Sequence, residues 1–104
     1  MKWVSGLQMK IVNIVVMVNL NKPLNLNHLS KIIKKNLSPN LETKTWLKLR
    51  LPPENYYIAF YKSGKFLING VKIPDQINNV AERILVILKD YDKEIKLVKI
   101  ELKD

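Results

Sequence analysis

Residues 10–20, KIVNIVVMVNL, constrain the fold more than any other stretch of the chain. β-Branched side chains crowd this segment, and they suit a pleated, largely buried surface better than a helix. Its two parities differ in kind. Val12, Ile14, Val16 and Val18 make one wholly apolar face, while Asn13, Val15, Met17 and Asn19 make a mixed face with two amides. Successive side chains of a strand point to opposite sides. One side of the sheet containing this strand must therefore face a core, and the other must face something different.

The rest of the chain supplies the cover for the first face. Asn21, Lys22 and Pro23 end the strand, because proline cannot donate to a ladder. Asn25 is placed to cap a helix running to about Lys35, with Leu26, Leu29, Ile32 and Ile33 as its apolar stripe. Lys31, Lys34 and Lys35 fall on its outer side and toward its C-terminus, where cations suit the helix dipole. Ser38, Pro39 and Asn40 read as a loop. Alternation returns over residues 44–51, with Leu47, Leu49 and Leu51 opposite Trp46, Lys48 and Arg50, until Pro52 and Pro53 stop it. Ile58 and Phe60 then alternate with Tyr57, Ala59 and Tyr61, and Lys62-Ser63-Gly64 supplies a tight turn. The return strand sets Phe66 and Ile68 against Leu67, Asn69 and Val71. Pro74 suits the first turn of a second helix to about Lys89, striped by Ile77, Val80, Ala81, Ile84, Leu85 and Leu88. A last alternating stretch over residues 95–102 carries apolar residues on both parities, so its inward face stays open.

Short turns between these strands favour antiparallel pairing, with both helices on one side. The expected fold is α+β: a curved antiparallel sheet of about five strands with two helices packed on one face, in a single domain over residues 1–104. The uncovered face should hold Asn13, Val15, Met17, Trp46, Lys48, Arg50, Tyr57, Ala59, Tyr61, Leu67, Asn69 and Val71. That mixture is too apolar for a passive wet surface and points to a partner.

Composition narrows the partner. The chain has 104 residues and no cysteine, which excludes disulfides, thiolate zinc sites and cysteine nucleophiles. His28, the one histidine, sits alone on the first helix and reads as a bystander. Acidic residues such as Asp75, Glu82, Asp90, Asp92 and Glu94 lie on the second helix or near chain ends without converging. There is no glycine-rich phosphate loop, and no nucleophile with a candidate base. Catalysis, a metal, a cofactor and a small-molecule substrate are therefore not expected. No apolar run approaches the ~20 residues of a membrane span, and no secretory pattern opens the chain, so a cytoplasmic protein is expected. The net charge of +9 favours a polyanionic partner.

Four pieces together resemble a known family. IVNIVVMVNL followed by LNLNHLSKIIKK resembles the opening strand and first helix of a TATA-binding protein repeat. SGKFLINGVK, and then the helix around Ala81, resembles that family's hairpin and second helix, over about residues 10–89 in all, with residues 95–102 as an additional strand. The family is itself a standard illustration of minor-groove binding with apolar wedges between base steps. The resemblance implies a non-enzymatic, transcription-related module that docks its open sheet face in the minor groove of A·T-rich double-stranded DNA. Asn13 and Asn69 would lie on base edges, Val15 and Leu67 on the groove floor, and Lys48, Arg50, Lys65 and Lys72 on phosphates. Tyr57, Tyr61 and Trp46 suit a stacking platform or, equally, the centre of a protein interface.

Two positions depart from the family. Its paired phenylalanine wedges are replaced here by Tyr61 and Lys44, and one of its basic positions by Thr43, so strong kinking of DNA is not expected. Two alternatives stand beside DNA binding: a protein-interaction or regulatory module of the transcription machinery, and an RNA–DNA hybrid binder. A transcription-factor partner and a homodimer paired edge to edge at the first strand are also expected. The lysine-rich composition suits an archaeal source.

Overall fold

Val16 and Val18, from the apolar parity of the first strand, have no exposed surface at all. The computed structural model describes residues 14–33, 37, 39–41 and 46–102. In chain order these residues form β1 (Ile14–Leu20), α1 (Leu26–Ile32), β2 (Trp46–Leu51), β3 (Tyr56–Tyr61), β4 (Lys65–Val71), α2 (Gln76–Tyr91) and β5 (Leu97–Leu102). The strands make one five-stranded sheet in the order β2-β3-β4-β1-β5, and every pairing is antiparallel. Among the described residues, no helix is long and apolar enough to cross a membrane.

The two helices lie on the apolar side of the sheet, as the alternation predicts. Leu29 of α1 and Val80, Ala81, Ile84 and Leu88 of α2 share one buried cluster with Leu47, Ile58, Phe60, Phe66 and Ile68 of the strands. The rings of Phe60 and Phe66 meet at 5.7 Å across β3 and β4. A fully buried side chain of this size contributes roughly 1.5–3 kcal/mol relative to leaving it in water. The helices therefore hold to this side and to no other.

The ends of the helices follow local chemistry and one tertiary contact. Asn25 caps α1 as expected, its side chain accepting from the His28 N–H at 3.1 Å. α2 continues to Tyr91, past the expected end at Lys89. The Tyr91 hydroxyl accepts from the Asn25 N–H at 2.8 Å, and its ring lies 5.4 Å from His28, so contact with α1 carries the last turn. Lys22 then pairs with Asp92 at 2.7 Å and ties the end of β1 to the approach of β5. The Lys22 amine, with the Glu94 N–H, holds the Asp92 carboxyl below the usual carboxylate range. The pair's contribution to stability is therefore present at neutral pH and is lost as acid protonates Asp92.

Two bulges alter the expected faces. Ile14 stands opposite Val71 but Val15 stands opposite Asn69, so Gly70 is an extra residue in β4, at φ +110°. The slip turns Val71 into the core, where it is fully buried, and corrects its expected place on the open face. In β5, Lys99 stands opposite Asn19 and Leu97 opposite Leu20, which leaves Val98 as the extra residue. This bulge is why both parities of the last strand are apolar. Leu97 and Ile100 pack against the core, whereas Val98 is turned out.

β5 also overturns the expected place of chain pairing. β1 has β4 on one side and β5 on the other, so its described edge is already taken and no second copy can add there.

The hairpin between β3 and β4 depends on Gly64. Its φ is +98°, and a Cβ there would come within 2.4 Å of the Lys22 carbonyl oxygen. The Gly64 carbonyl meanwhile accepts from the Leu20 N–H at 2.8 Å and fastens the turn to β1. At Gly70 an added Cβ meets only the Tyr56 ring, at 3.7 Å. Urea denaturation should show Gly64→Ala costing well over the ~1–2 kcal/mol of left-handed backbone strain, and Gly70→Ala costing about that strain alone. Equal losses would contradict the close approach at Lys22.

Candidate nucleic-acid interface

Strand register arranges the uncovered face into three transverse rows. The first is Arg50, Tyr57, Asn69 and Val15. The second is Lys48, Ala59, Leu67, Met17 and Glu101. The third is Trp46, Tyr61, Lys65, Asn19 and Lys99. Cations thus stand on β2 in the first two rows and on β4 and β5 in the third, and the inner positions of the second row, Ala59, Leu67 and Met17, are apolar. Ala59 belongs to this face by register but is buried to 1% exposure between longer neighbours.

The aromatic residues are already engaged by neighbouring side chains. The Arg50 guanidinium lies 5.2 Å from the Tyr57 ring centroid, and the Lys48 amine lies 5.0 Å from that of Trp46. Such contacts are attractive by about 0.5–1 kcal/mol at exposed sites. Trp46 and Tyr61 meet at 5.8 Å with their planes tilted by 49°. A base that stacks on Tyr57 must therefore share the ring with a guanidinium, which itself stacks well.

Beside the first row lies an open, shallow hollow of about 360 Å³, lined by Arg50, Asn55, Tyr57, Asn69 and Gly70. Arg50 Nη1 reaches the Asn55 carbonyl at 3.4 Å, and Asn55 takes the left-handed conformation at φ 64°. Asn69 Oδ1 is buried and has no hydrogen-bond partner among the described residues. A buried polar atom without a partner costs about 1–3 kcal/mol. Such a group is uncommon in a folded chain, and its place here, beside an exposed arginine on the open face, marks the hollow as the centre of the site.

Of the residues expected at the site, Val15, Arg50, Tyr57 and Asn69 come together in the first row. Lys48 and Leu67 lie in the second, and Tyr61 and Lys65 in the third. Tyr61 is about 13 Å from the Tyr57 row by strand rise, so it serves the opposite end of the face. Lys72 lies just beyond β4 and is exposed. Asn13, Thr43 and Lys44 lie outside the described residues. Asn55 and Gly70 belong to the hollow and were not singled out by sequence. Asn69-Gly70 is a turn-prone pair whose glycine signalled the bulge, whereas nothing local marked Asn55.

Comparison with known proteins agrees with this architecture. Residues 8–91 match the family described as "Transcription factor TFIID (or TATA-binding protein, TBP)". Among solved structures, the chain is similar to Methanococcus jannaschii TBP, with a TM-score of 0.70 and 23% sequence identity. The alignment covers 90% of this chain and 54% of that one, so the chain spans about half the length of the matched structure. At that identity the likeness shows the fold. No curated protein matches.

Asn69 gives the site a measurable signature. Replacing it with leucine removes the unpaired oxygen and leaves similar volume, so Asn69→Leu should raise unfolding free energy by about 1 kcal/mol in urea titration. A loss of stability would mean that the amide oxygen has a partner within the folded chain.

Proposed function

The chain belongs to the TATA-binding protein family, and from that premise we propose that it is a non-enzymatic, transcription-related module that binds duplex DNA in the minor groove. The observation that carries the proposal is the Asn69 amide, half-buried on the uncovered face with its oxygen unpaired. With that oxygen turned inward, the NH₂ is the end of the amide left toward the open face, where it can donate. Minor-groove edges of A·T pairs present only acceptors, N3 of adenine and O2 of thymine, which that NH₂ satisfies. A G·C pair adds a donor in the same place and repels it.

The neighbours of Asn69 fit the same groove. Val15 and Leu67 lie on the groove floor. Asn13, the other amide expected on this face, reads a second base edge. Arg50, Lys65 and Lys72 take phosphates, with Lys48 as a fourth cation near them. The wedge positions hold Tyr61 and Lys44, so this module binds without the sharp unstacking that a phenylalanine pair drives.

A second reading, a protein-interaction module of the transcription machinery, is favoured by one observation on the opposite side. There Ile32, Ile33, Leu37, Leu51, Pro52, Val86, Ile87 and Asp90 line a hollow of about 260 Å³ between the helices, and Val86 is 67% exposed. In that reading a transcription factor seats on the helices and the sheet face stays bare.

Fluorescence anisotropy with labelled A·T-rich duplex, G·C-rich duplex and RNA–DNA hybrid, at several salt concentrations, separates these readings. The A·T duplex should bind best, with a log–log salt slope of about −3 to −4 for three or four phosphate contacts. Arg50→Ala should reduce that slope by about 1. Asn69→Ala and Asn13→Ala should each lower affinity for the A·T duplex by roughly 1–2 kcal/mol while leaving the slope unchanged. Equal binding by both variants and the parent would eliminate minor-groove reading. A preference for the hybrid would transfer the site to that ligand, and no binding at low salt would favour the protein-interaction module.

A further inference from the structure

The two edges of the sheet are treated differently. β2 forms one edge, and Asn40 covers it in part: its N–H donates to the Lys48 carbonyl at 2.8 Å, and the Lys48 N–H returns to the Asn40 carbonyl at 3.0 Å. β5 forms the other edge, and among the described residues no strand pairs with its outer side. It also carries two of the largest exposed apolar side chains, Val98 and Leu102, each 65% exposed. Unpaired edges are commonly blunted by proline, by a cover or by inward charges, because they template pairing with another chain. Among the described residues β5 has neither proline nor a covering strand, and its bulge at Val98 and its charges Lys99 and Glu101 are what it presents to a partner.

Its sequence is complementary to itself. We propose that the outer edge of β5 pairs with the same edge of a second copy of this chain, antiparallel about a two-fold axis at Ile100. In that register Lys99 stands opposite Glu101 of the second copy, and Glu101 opposite its Lys99. On the other face Val98 meets Leu102 of the second copy, and Ile100 meets its own equivalent. The charges lie on the open face, because Lys99 stands opposite Asn19 and Glu101 opposite Met17 within the chain. Lys99 and Glu101 already approach at 3.3 Å along the strand, so pairing completes a ring of four alternating charges. Of the apolar residues, Ile100 and Leu102 stand opposite Val18 and Val16 and so lie toward the helix side, where Ile100 packs on the core.

Other registers lose this match. Moving the axis to Lys99 sets lysine against lysine, and moving it to Glu101 sets glutamate against glutamate. Like charges directly opposite destabilise a strand pair. A slip by one residue turns the apolar set to the wrong side. Charge and apolar pattern therefore select one register, and the two-fold interface is isologous. The two five-stranded sheets become one continuous sheet, with both uncovered faces on the same side. This pairing stands on the edge alone and does not depend on the DNA reading.

Sedimentation equilibrium without nucleic acid tests it. The mass should rise with concentration from 12.1 kDa toward twice that value. Lys99→Glu and Glu101→Lys should each weaken self-association about tenfold or more, since each places like charges in opposition twice. An equimolar mixture of these two variants should regain the dimer, because one chain then presents carboxylates at both positions and the other presents ammonium groups opposite them. That rescue is specific to pairing between chains, as the contact within the strand is broken in both variants. Val98→Lys, at an exposed bulge, should block pairing without disturbing the core, as circular dichroism will verify. A parent that stays at 12.1 kDa into the millimolar range overturns the proposal. So does a mixture no heavier than its components, or a Val98→Lys variant that pairs like the parent.

Discussion

One-sided apolar packing is the constraint from which the rest of this structure follows. The helices bury Leu29, Val80, Ile84 and Leu88 against the inward rows of the sheet, and those rows are apolar in every strand they contact. A helix stripe can satisfy only one face, and a strand's alternation assigns the remaining residues to the other. The open face is therefore a consequence of the core rather than a separate feature. Its side chains are free of the packing requirement, and they are the ones that depart from it: Asn69, Arg50, Tyr57, Lys65 and Asn19.

Much of the fold was legible because each local signal agreed with the global one. β-Branched alternation gave β1, the SGK turn gave the hairpin, and an asparagine before an apolar stripe gave the start of α1. What escaped was tertiary. Gly70 breaks the parity of β4, and period-two reasoning carried past it placed Val71 on the wrong side. Val98 breaks the parity of β5 in the same way, so its pattern had no single solution. The last turn of α2 is held by a hydroxyl contact from Tyr91 to Asn25, across 66 positions of sequence, which no local pattern contains. The free edge of β1 was lost for a similar reason: only the assembled sheet shows that β5 pairs there.

The site was legible in outline and less so in detail. Alternation alone gathered Val15, Arg50, Tyr57, Leu67 and Asn69 on one surface, and strand register then joined four of them in one row. Sequence did not reveal that the cations lie over the aromatic rings, or that Asn55 lines the hollow beside Arg50. These contacts depend on the cross-strand neighbour, which periodicity does not specify. They also shape the proposed chemistry. In the proposed role, rings already shared with guanidinium and ammonium groups suit a polyanion better than an apolar wedge.

The measurement that tests the central claim most directly is a ¹⁵N NMR titration of the chain with an A·T-rich duplex. The account predicts that the side-chain NH₂ of Asn69 and the backbone amides of Val15, Tyr57 and Leu67 shift first and most. The amides around Val86, on the helix side, should stay in place. Shifts concentrated on α2, with the Asn69 NH₂ unmoved, would contradict it.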